Sequence, residues 1–369
     1  MKSQKKLLAI DGGGIRGILA VKILRKIESL LREQSANPNL VLADYFDYIG
    51  GTSTGAIIAA ALAIGMTTEE IERFYREDAR SLFSPSRNLL KHWLYARYDA
   101  FALQKRLQEV FGADTTLGSD RLRTLLMVVM LNATTASPWP VSSNPRAKYN
   151  DAALGDENNL KLPLWQLVRA STAAPYYFEP EEIVVGKNRF LFYDGGLTSL
   201  NNPAFKLFQM ATVPAYQLGW ETGEEKILLV SIGTGMLPKE IHRLRLRDKQ
   251  IGTTLLNTLQ SVMQSGATEV DLQCRSLGKV IFGEEIDSEV GDLMGQKTMG
   301  GNPLFSYLRY NALMTERGLR SLGCTELLKR NSFRLDDINA IQSCATVGEA
   351  VADRFVRAEH FEAFPPCRE

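Results

Sequence analysis

The sequence predicts an α/β fold of three layers, with helices on either face of a mostly parallel central sheet. Three observations carry this. Lys6 to Ile10, "LRTLLMVVMLNAT" and "KILLVSIGTG" are apolar without alternation, as expected of strands covered on both faces. Segments with helical spacing stand between them. Two glycine-rich breaks, "DGGGIRG" and "GGTSTG", each join a strand directly to a helix.

In chain order, Lys6 to Ile10 is the first buried strand, and Ile15 to Leu31 is a helix with apolar residues at 18, 19, 23, 24, 27, 30 and 31. "ADYFDYIGG" leads into the serine turn, and "AIIAAALAIG" is apolar all round, marking a helix buried on every side. Thr68 to Phe83 opens with Thr-Glu-Glu, a good cap, and continues as an amphipathic helix. "SPSRNLLKHWLYARYD" (84–99) is a loop-rich insertion with aromatics. After the "LRTLLMVVMLNAT" strand comes the polar, turn-rich "SSNPRAKYNDAALGDENN", then a helix in "LPLWQLVRASTAAP" between Pro163 and Pro175. "EEIVVGKNRFLFYDGG" reads as a hairpin turning at Gly-Lys-Asn, its second strand ending at Asp194. "KILLVSIGTG" (226–235) is one more buried strand. Beyond about residue 236 the pattern is helical and charged, with "GKVIFGEE" the one further strand expected.

Composition narrows the function. With 369 residues, 45% apolar, the chain can fill a sizeable core. Its 43 basic and 42 acidic side chains leave +1, so no global field selects a nucleic acid polymer or an anionic membrane. The apolar run before Asp11 is too short for a secretory leader. The longest uncharged apolar run, Ala56 to Met66, falls well below the roughly 20 residues of a membrane span. A soluble, cytoplasmic protein is expected. Cys274, Cys324, Cys344 and Cys367 are spaced like no metal site, and reduced structural thiols are expected.

Three motifs carry chemistry. "DGGGIRG" contains Gly12-x-Gly14-x-x-Gly17, the letters of a dinucleotide fingerprint. A Rossmann unit also needs an acidic residue at the tip of a second strand, about 20 residues on; here that distance falls at the end of the first helix. The competing use of such a loop is to offer backbone amides to an oxyanion, with Arg16 adding charge or anchoring the loop. "GGTSTG" places Ser53 between Gly51 and Gly55 at a strand-to-helix bend, as in a nucleophile elbow, although a serine there also serves as a helix cap.

A nucleophilic serine needs a base. His92, His242 and His360 each lie in polar or terminal segments and read as surface residues. Asp194 instead ends an apolar strand and precedes Gly195 and Gly196. A Ser53–Asp194 dyad fits, with burial raising the basicity of the carboxylate; the competing reading is an aspartate capping "LTSLNNPAF".

These three motifs, in this order, resemble those of the patatin-like phospholipases, over roughly residues 5 to 206 and extending to "LLVSIGTG". The resemblance implies a patatin-like fold with a helical C-terminal extension: a catalytic domain over 5–206, and a part over 207–369 that continues the fold at 226–232 and is otherwise mainly helical and regulatory. It implies Ser53 as nucleophile, Asp194 as proton acceptor, and Gly12, Gly13, Gly14 and Arg16 as oxyanion elements. It implies acyl-ester hydrolysis of membrane glycerophospholipids at the inner membrane surface, without metal or cofactor. Segment 84–99 is then a candidate lid or docking surface, or an aromatic loop packed on the core. The C-terminal part further resembles bacterial effector phospholipases of CBASS anti-phage systems, which implies a cyclic dinucleotide activator. "IHRLRLRD" and "NPLFSYLRYN" offer arginines and aromatics suited to its phosphates and bases, and a solvated helix face accounts for them equally. A homo-oligomer is left open. The alternative within the family is an unregulated lipid acyl hydrolase or lysophospholipase; an NAD-type oxidoreductase and a catalytically silent lipid-binding module are the readings from other classes.

Overall fold

The computed structural model describes residues 4–82, 98, 100–237, 251–329 and 333–366. Its strands are β1 (Lys5–Ile10), β2 (Tyr48–Thr52), β3 (Leu125–Asn132), β4 (Ser137–Ser142), β5 (Glu181–Val185), β6 (Asn188–Asp194), β7 (Ile227–Ile232), β8 (Lys279–Phe282) and β9 (Ser306–Tyr310). They form one sheet in the order β5-β6-β3-β2-β1-β7-β9-β8, with β4 also on β3. Strands β3, β2, β1, β7, β9 and β8 are parallel neighbours, and β4, β5 and β6 are antiparallel additions.

The α-helices are α1 (Gly17–Ser35), α2 (Leu42–Tyr45), α3 (Thr54–Ala63), α4 (Thr68–Leu82), α5 (Ala100–Phe111), α6 (Leu164–Ser171), α7 (Ala204–Thr212), α8 (Ile251–Leu277), α9 (Glu316–Ser321) and α10 (Ile341–Phe355). Period-2 side-chain alternation along the central strands gives the sheet two apolar faces. Leu8, Ile10, Ile49, Val128 and Val230 pack against α1, α3, α6 and α10, while Leu7, Ala9, Tyr48, Val129 and Leu229 pack against α7 and α8. Each buried side chain of this kind is worth about 1.5–3 kcal/mol, which is what holds the three layers together. An ion cluster ties three helices: buried Lys22 of α1 contacts buried Glu72 of α4 at 2.7 Å and half-exposed Glu349 of α10 at 2.8 Å.

One feature of the register matters most for function. β2 pairs with β3 as far as Thr52, opposite Val129. β6 arrives from the other direction along the same edge of β3 and ends with Asp194 opposite Met130. The two strands therefore meet end to end, and the residue after Thr52 comes up against Asp194.

The structure corrects several expectations. "NPLFSYLRYN" is not a ligand-facing segment: residues 306–310 are β9, buried throughout between β7 and β8. Arg309 within it is buried and paired with Asp11, so its charge is met inside the protein. β4 was not expected, since Pro138 and Pro140 argue against a central strand; it lies on the outer side of β3, where their missing N–H groups cost little. Helix α4 is capped one residue earlier than expected, by Thr67, whose Oγ1 accepts from Glu70 N while Glu70 Oε2 accepts from Thr67 N. His360 is buried, not superficial: Nδ1 pairs with Tyr310 Oη at 2.7 Å and the ring stacks on Phe282. His92, His242, Cys367, "IHRLRLRD" and all of segment 84–99 except Tyr98 lie outside the described residues. Tyr98 itself is buried and stacked on Tyr177. Cys274, Cys324 and Cys344 are free thiols, all buried.

Candidate active site

β2 ends at Thr52, α3 begins at Thr54, and Ser53 alone makes the bend, with φ 55° and ψ −124°. That conformation is costly for a residue with a side chain, about 1–3 kcal/mol. Its neighbours make it feasible. A Cβ on Gly51 would lie 2.1 Å from Gly55 O, and one on Gly55 would lie 2.2 Å from Ile10 O, so only glycines let α3 start this close to β1 and β2. The bend is also held from outside: Ser53 N donates to Ser171 Oγ at 2.9 Å, and that hydroxyl donates to Val129 O at 2.6 Å. Ser171, the last residue of α6, was not singled out from the sequence. Its letter in "VRASTAAP" carries no periodic or motif signal.

The sequence pairing of Ser53 with Asp194 is realised in the geometry. Ser53 Oγ donates to Asp194 Oδ2 at 2.6 Å, and Asp194 Oδ1 accepts from Gly196 N at 2.7 Å. Both side chains are buried. Burial pushes the Asp194 carboxyl up to about 6, with the Ser53 and Gly196 hydrogen bonds pulling the other way. This aspartate is poised between its two protonation states near neutrality, as a general base requires. His360, the one described histidine, does not border the cavity at Ser53.

The glycine loop follows β1. Gly12 N is engaged with Asn201 O at 3.1 Å and Gly12 O accepts from Thr234 Oγ1 at 2.7 Å, so Gly12 anchors the loop. Among the described residues the amides of Gly13 and Gly14 donate to no protein acceptor. Gly14, at φ 57°, lines the same cavity as Ser53 and Asp194. Arg16 does not. Its side chain lines a separate cavity of about 20 Å³ with Asn201 and Thr234, room for about one water. It is buried, its Nε reaches Gly13 O at 3.5 Å, and burial lowers its pKa. Of the expected oxyanion elements, the structure therefore leaves Gly13 and Gly14 with amides to offer, and Gly12 and Arg16 as supports of the loop.

The Ser53 cavity has a volume of about 80 Å³ and is walled mainly by apolar groups, including Ile15, Ile57, Phe74, Leu103, Phe178 and Met263. Met263 comes from α8, and its Cε would sit 2.9 Å from a Cβ on Gly196, so this helix lies over the dyad. Gly195 and Gly196 form the turn beneath it. A larger open groove of about 1060 Å³ lies at the opposite ends of the strands, beside Lys5, Asp47 and Thr124, away from Ser53.

Residues 8–208, more than half of the chain, match the patatin-like phospholipase family. The chain belongs to the patatin-like phospholipase family. Ser53, Asp194 and the glycine loop all fall within the matched segment. The chain is similar to patatin-17 of Solanum cardiophyllum, 31% identical over 246 residues covering 62% of this chain and 60% of that one. It is similar also to an intracellular phospholipase A2 of Caenorhabditis elegans, 32% identical over 247 residues covering 65% of this chain and 20% of that one. The chain thus aligns with three fifths of the first relative's length and one fifth of the second's. Among solved structures, VipD from Legionella pneumophila aligns with 95% of this chain and 67% of its own, at 15% identity and a TM-score of 0.41. Among the described residues of this patatin-like chain, no helix is long and apolar enough to cross a membrane.

Proposed function

We propose that this protein is a lipid acyl hydrolase that cleaves the acyl esters of glycerophospholipids by a Ser-Asp dyad. The observation that carries this reading is the 2.6 Å hydrogen bond from Ser53 Oγ to a buried Asp194, at the wall of an apolar cavity. The acyl chain enters the cavity, and the ester carbonyl faces the Gly13 and Gly14 amides. Asp194 takes the Ser53 proton as Oγ attacks the carbonyl carbon, and the two amides stabilise the oxyanion. As the tetrahedral adduct collapses, Asp194 returns the proton to the departing glycerol oxygen. Water then attacks the acyl-serine, with Asp194 again as base, and a fatty acid leaves.

Hydrolysis of a fluorescent glycerophospholipid tests the reading. Ser53→Ala and Asp194→Asn should each abolish it, and a fluorophosphonate probe should label Ser53 alone. Labelling that persists in Ser53→Ala would reject the assignment. Because no step draws on a metal, activity should survive dialysis against a chelator.

The narrower form of the proposal is a phospholipase switched on by a cyclic dinucleotide at the inner membrane surface in antiviral defence. What supports it is the C-terminal part beyond the family match, together with the arginines of 241–248. Residues 302–311 no longer support it, because Arg309 and its aromatic neighbours are spent inside the sheet. Phospholipid hydrolysis measured with and without a panel of cyclic di- and trinucleotides decides the matter, and a rate that no nucleotide changes removes this form.

A further inference from the structure

The most deeply buried ion pair beside the site lies behind the glycine loop. Asp11, between the end of β1 and Gly12, is 3% exposed, and so is Arg309 of β9. Arg309 Nη1 donates to Asp11 Oδ1 at 2.9 Å and Nη2 to Oδ2 at 2.6 Å, a two-pronged grip that fixes direction as well as distance. Arg309 Nη1 also donates to Ser231 Oγ of β7 at 2.7 Å. Burial alone would weaken the charge on Arg309, but Asp11 outweighs it and the guanidinium is held protonated.

We propose that Arg309 is a positioning residue for the hydrolysis: it aims the Gly13 and Gly14 amides at the reacting ester by gripping Asp11 from β9, two strands along the sheet from β1. Three facts point this way. Asp11 N already continues the β1–β7 ladder through Ile232 O at 3.0 Å, so with Arg309 both its backbone and its side chain are fixed. The loop beyond it includes Gly14 in a left-handed conformation, whose amide direction depends on what holds its ends. Oxyanion donors act only when pre-aimed, and loss of one costs about 10²–10³ in kcat. The same arginine approaches α8: its Nε lies 4.0 Å from Asp271 Oδ2, itself gripped by Arg275 at 2.8 Å and by Tyr307 Oη at 3.0 Å. Asp271 stands about two turns beyond Met263, which covers the dyad. Arg309 therefore sits between the loop that holds the oxyanion and the helix that closes over the serine, although it lies outside the segment matched to the family.

This inference rests on the hydrolase reading, which the parent protein tests first: it must hydrolyse p-nitrophenyl butyrate and be labelled at Ser53 by fluorophosphonate. Two variants then test Arg309. Arg309→Lys keeps the charge and loses the fork. The double variant Asp11→Asn/Arg309→Gln replaces the buried ion pair by a neutral hydrogen-bonded pair, removing the penalty of an unpaired buried charge that a single deletion would leave. Each should fold, with a Tm near that of the parent, and show kcat lowered about 10–100-fold with KM within about threefold, since an aimed amide acts in the transition state and not on ground-state binding. The acid limb of the pH profile, set by Asp194, should stay in place. A folded variant with parental kcat, or one whose loss lies in KM, overturns the proposal. So does failure of both variants to fold, which would make the pair a support of the fold alone.

Discussion

Ser53 occupies backbone space that most residues avoid, and the structure shows what offsets the strain: glycines at 51 and 55, and the hydroxyl of Ser171 on its amide. Ser171→Ala would leave Ser53 N and Val129 O without this partner in a buried place, at about 1–3 kcal/mol each. The expected result is a lower urea midpoint together with a fall in kcat of about tenfold as the bend relaxes. A kcat unchanged in a folded variant would show that the bend holds itself. At Asp194, whose folded pKa of about 6 lies above the ordinary 3.8, the sign is definite. The native state favours the protonated acid, so the stability this group gives at low pH is lost as pH rises through 6, while under the proposed mechanism activity grows as Asp194 ionises. A plot of kcat/KM against pH should therefore show an acid limb with a midpoint near 6. A limb near 4 would contradict the dry environment seen for this carboxyl.

The elements make the site through three approaches: β2 and β6 converging on one edge of β3, α3 leaving β2 at Ser53, and the glycine loop leaving β1 beside them. The crossing of α3 over β1 is so close that Gly55→Ala should lower stability by more than about 3 kcal/mol, read by chemical denaturation. At this scale the sequence was most informative. Uninterrupted apolar runs exposed β1, β3 and β7, and glycines bracketing a serine exposed the elbow, because each signal is local. Residues whose meaning depends on a partner far along the chain stayed hidden. Ser171 matters only through Ser53, 118 positions away, and Arg309 only through Asp11, 298 positions away. β9 was obscured because a buried strand carrying an arginine has the letters of a surface segment, and β4 because two prolines suit the outer side of a sheet. The end of β6 at Asp194 was legible because its strand is apolar up to the aspartate and glycines follow directly.

Taken whole, the molecule is one sheet to which both halves of the chain contribute. The family match ends at 208, yet β1 lies between β2 and β7, and β7 comes from residues 227–232. A fragment ending at 208 would strip six residues of β1 of their second neighbour and expose the apolar face that packs on α8. It should aggregate or lack a cooperative unfolding transition, as judged by near-UV circular dichroism and size-exclusion chromatography. A monomeric fragment that unfolds cooperatively would refute this. The C-terminal part thus completes the sheet, and α10 packs against α1 on its other face.

Two strand ends, those of β2 and β6, meet on one edge of β3. Side chains change faces with every residue of a strand, so a slip of one position by β6 would turn the carboxyl to the opposite layer and leave the alcohol with no acceptor. Molecules threaded wrongly would be silent, not sluggish. Titrating live serines with a stoichiometric phosphonate would therefore count the correctly assembled fraction in any preparation of this protein.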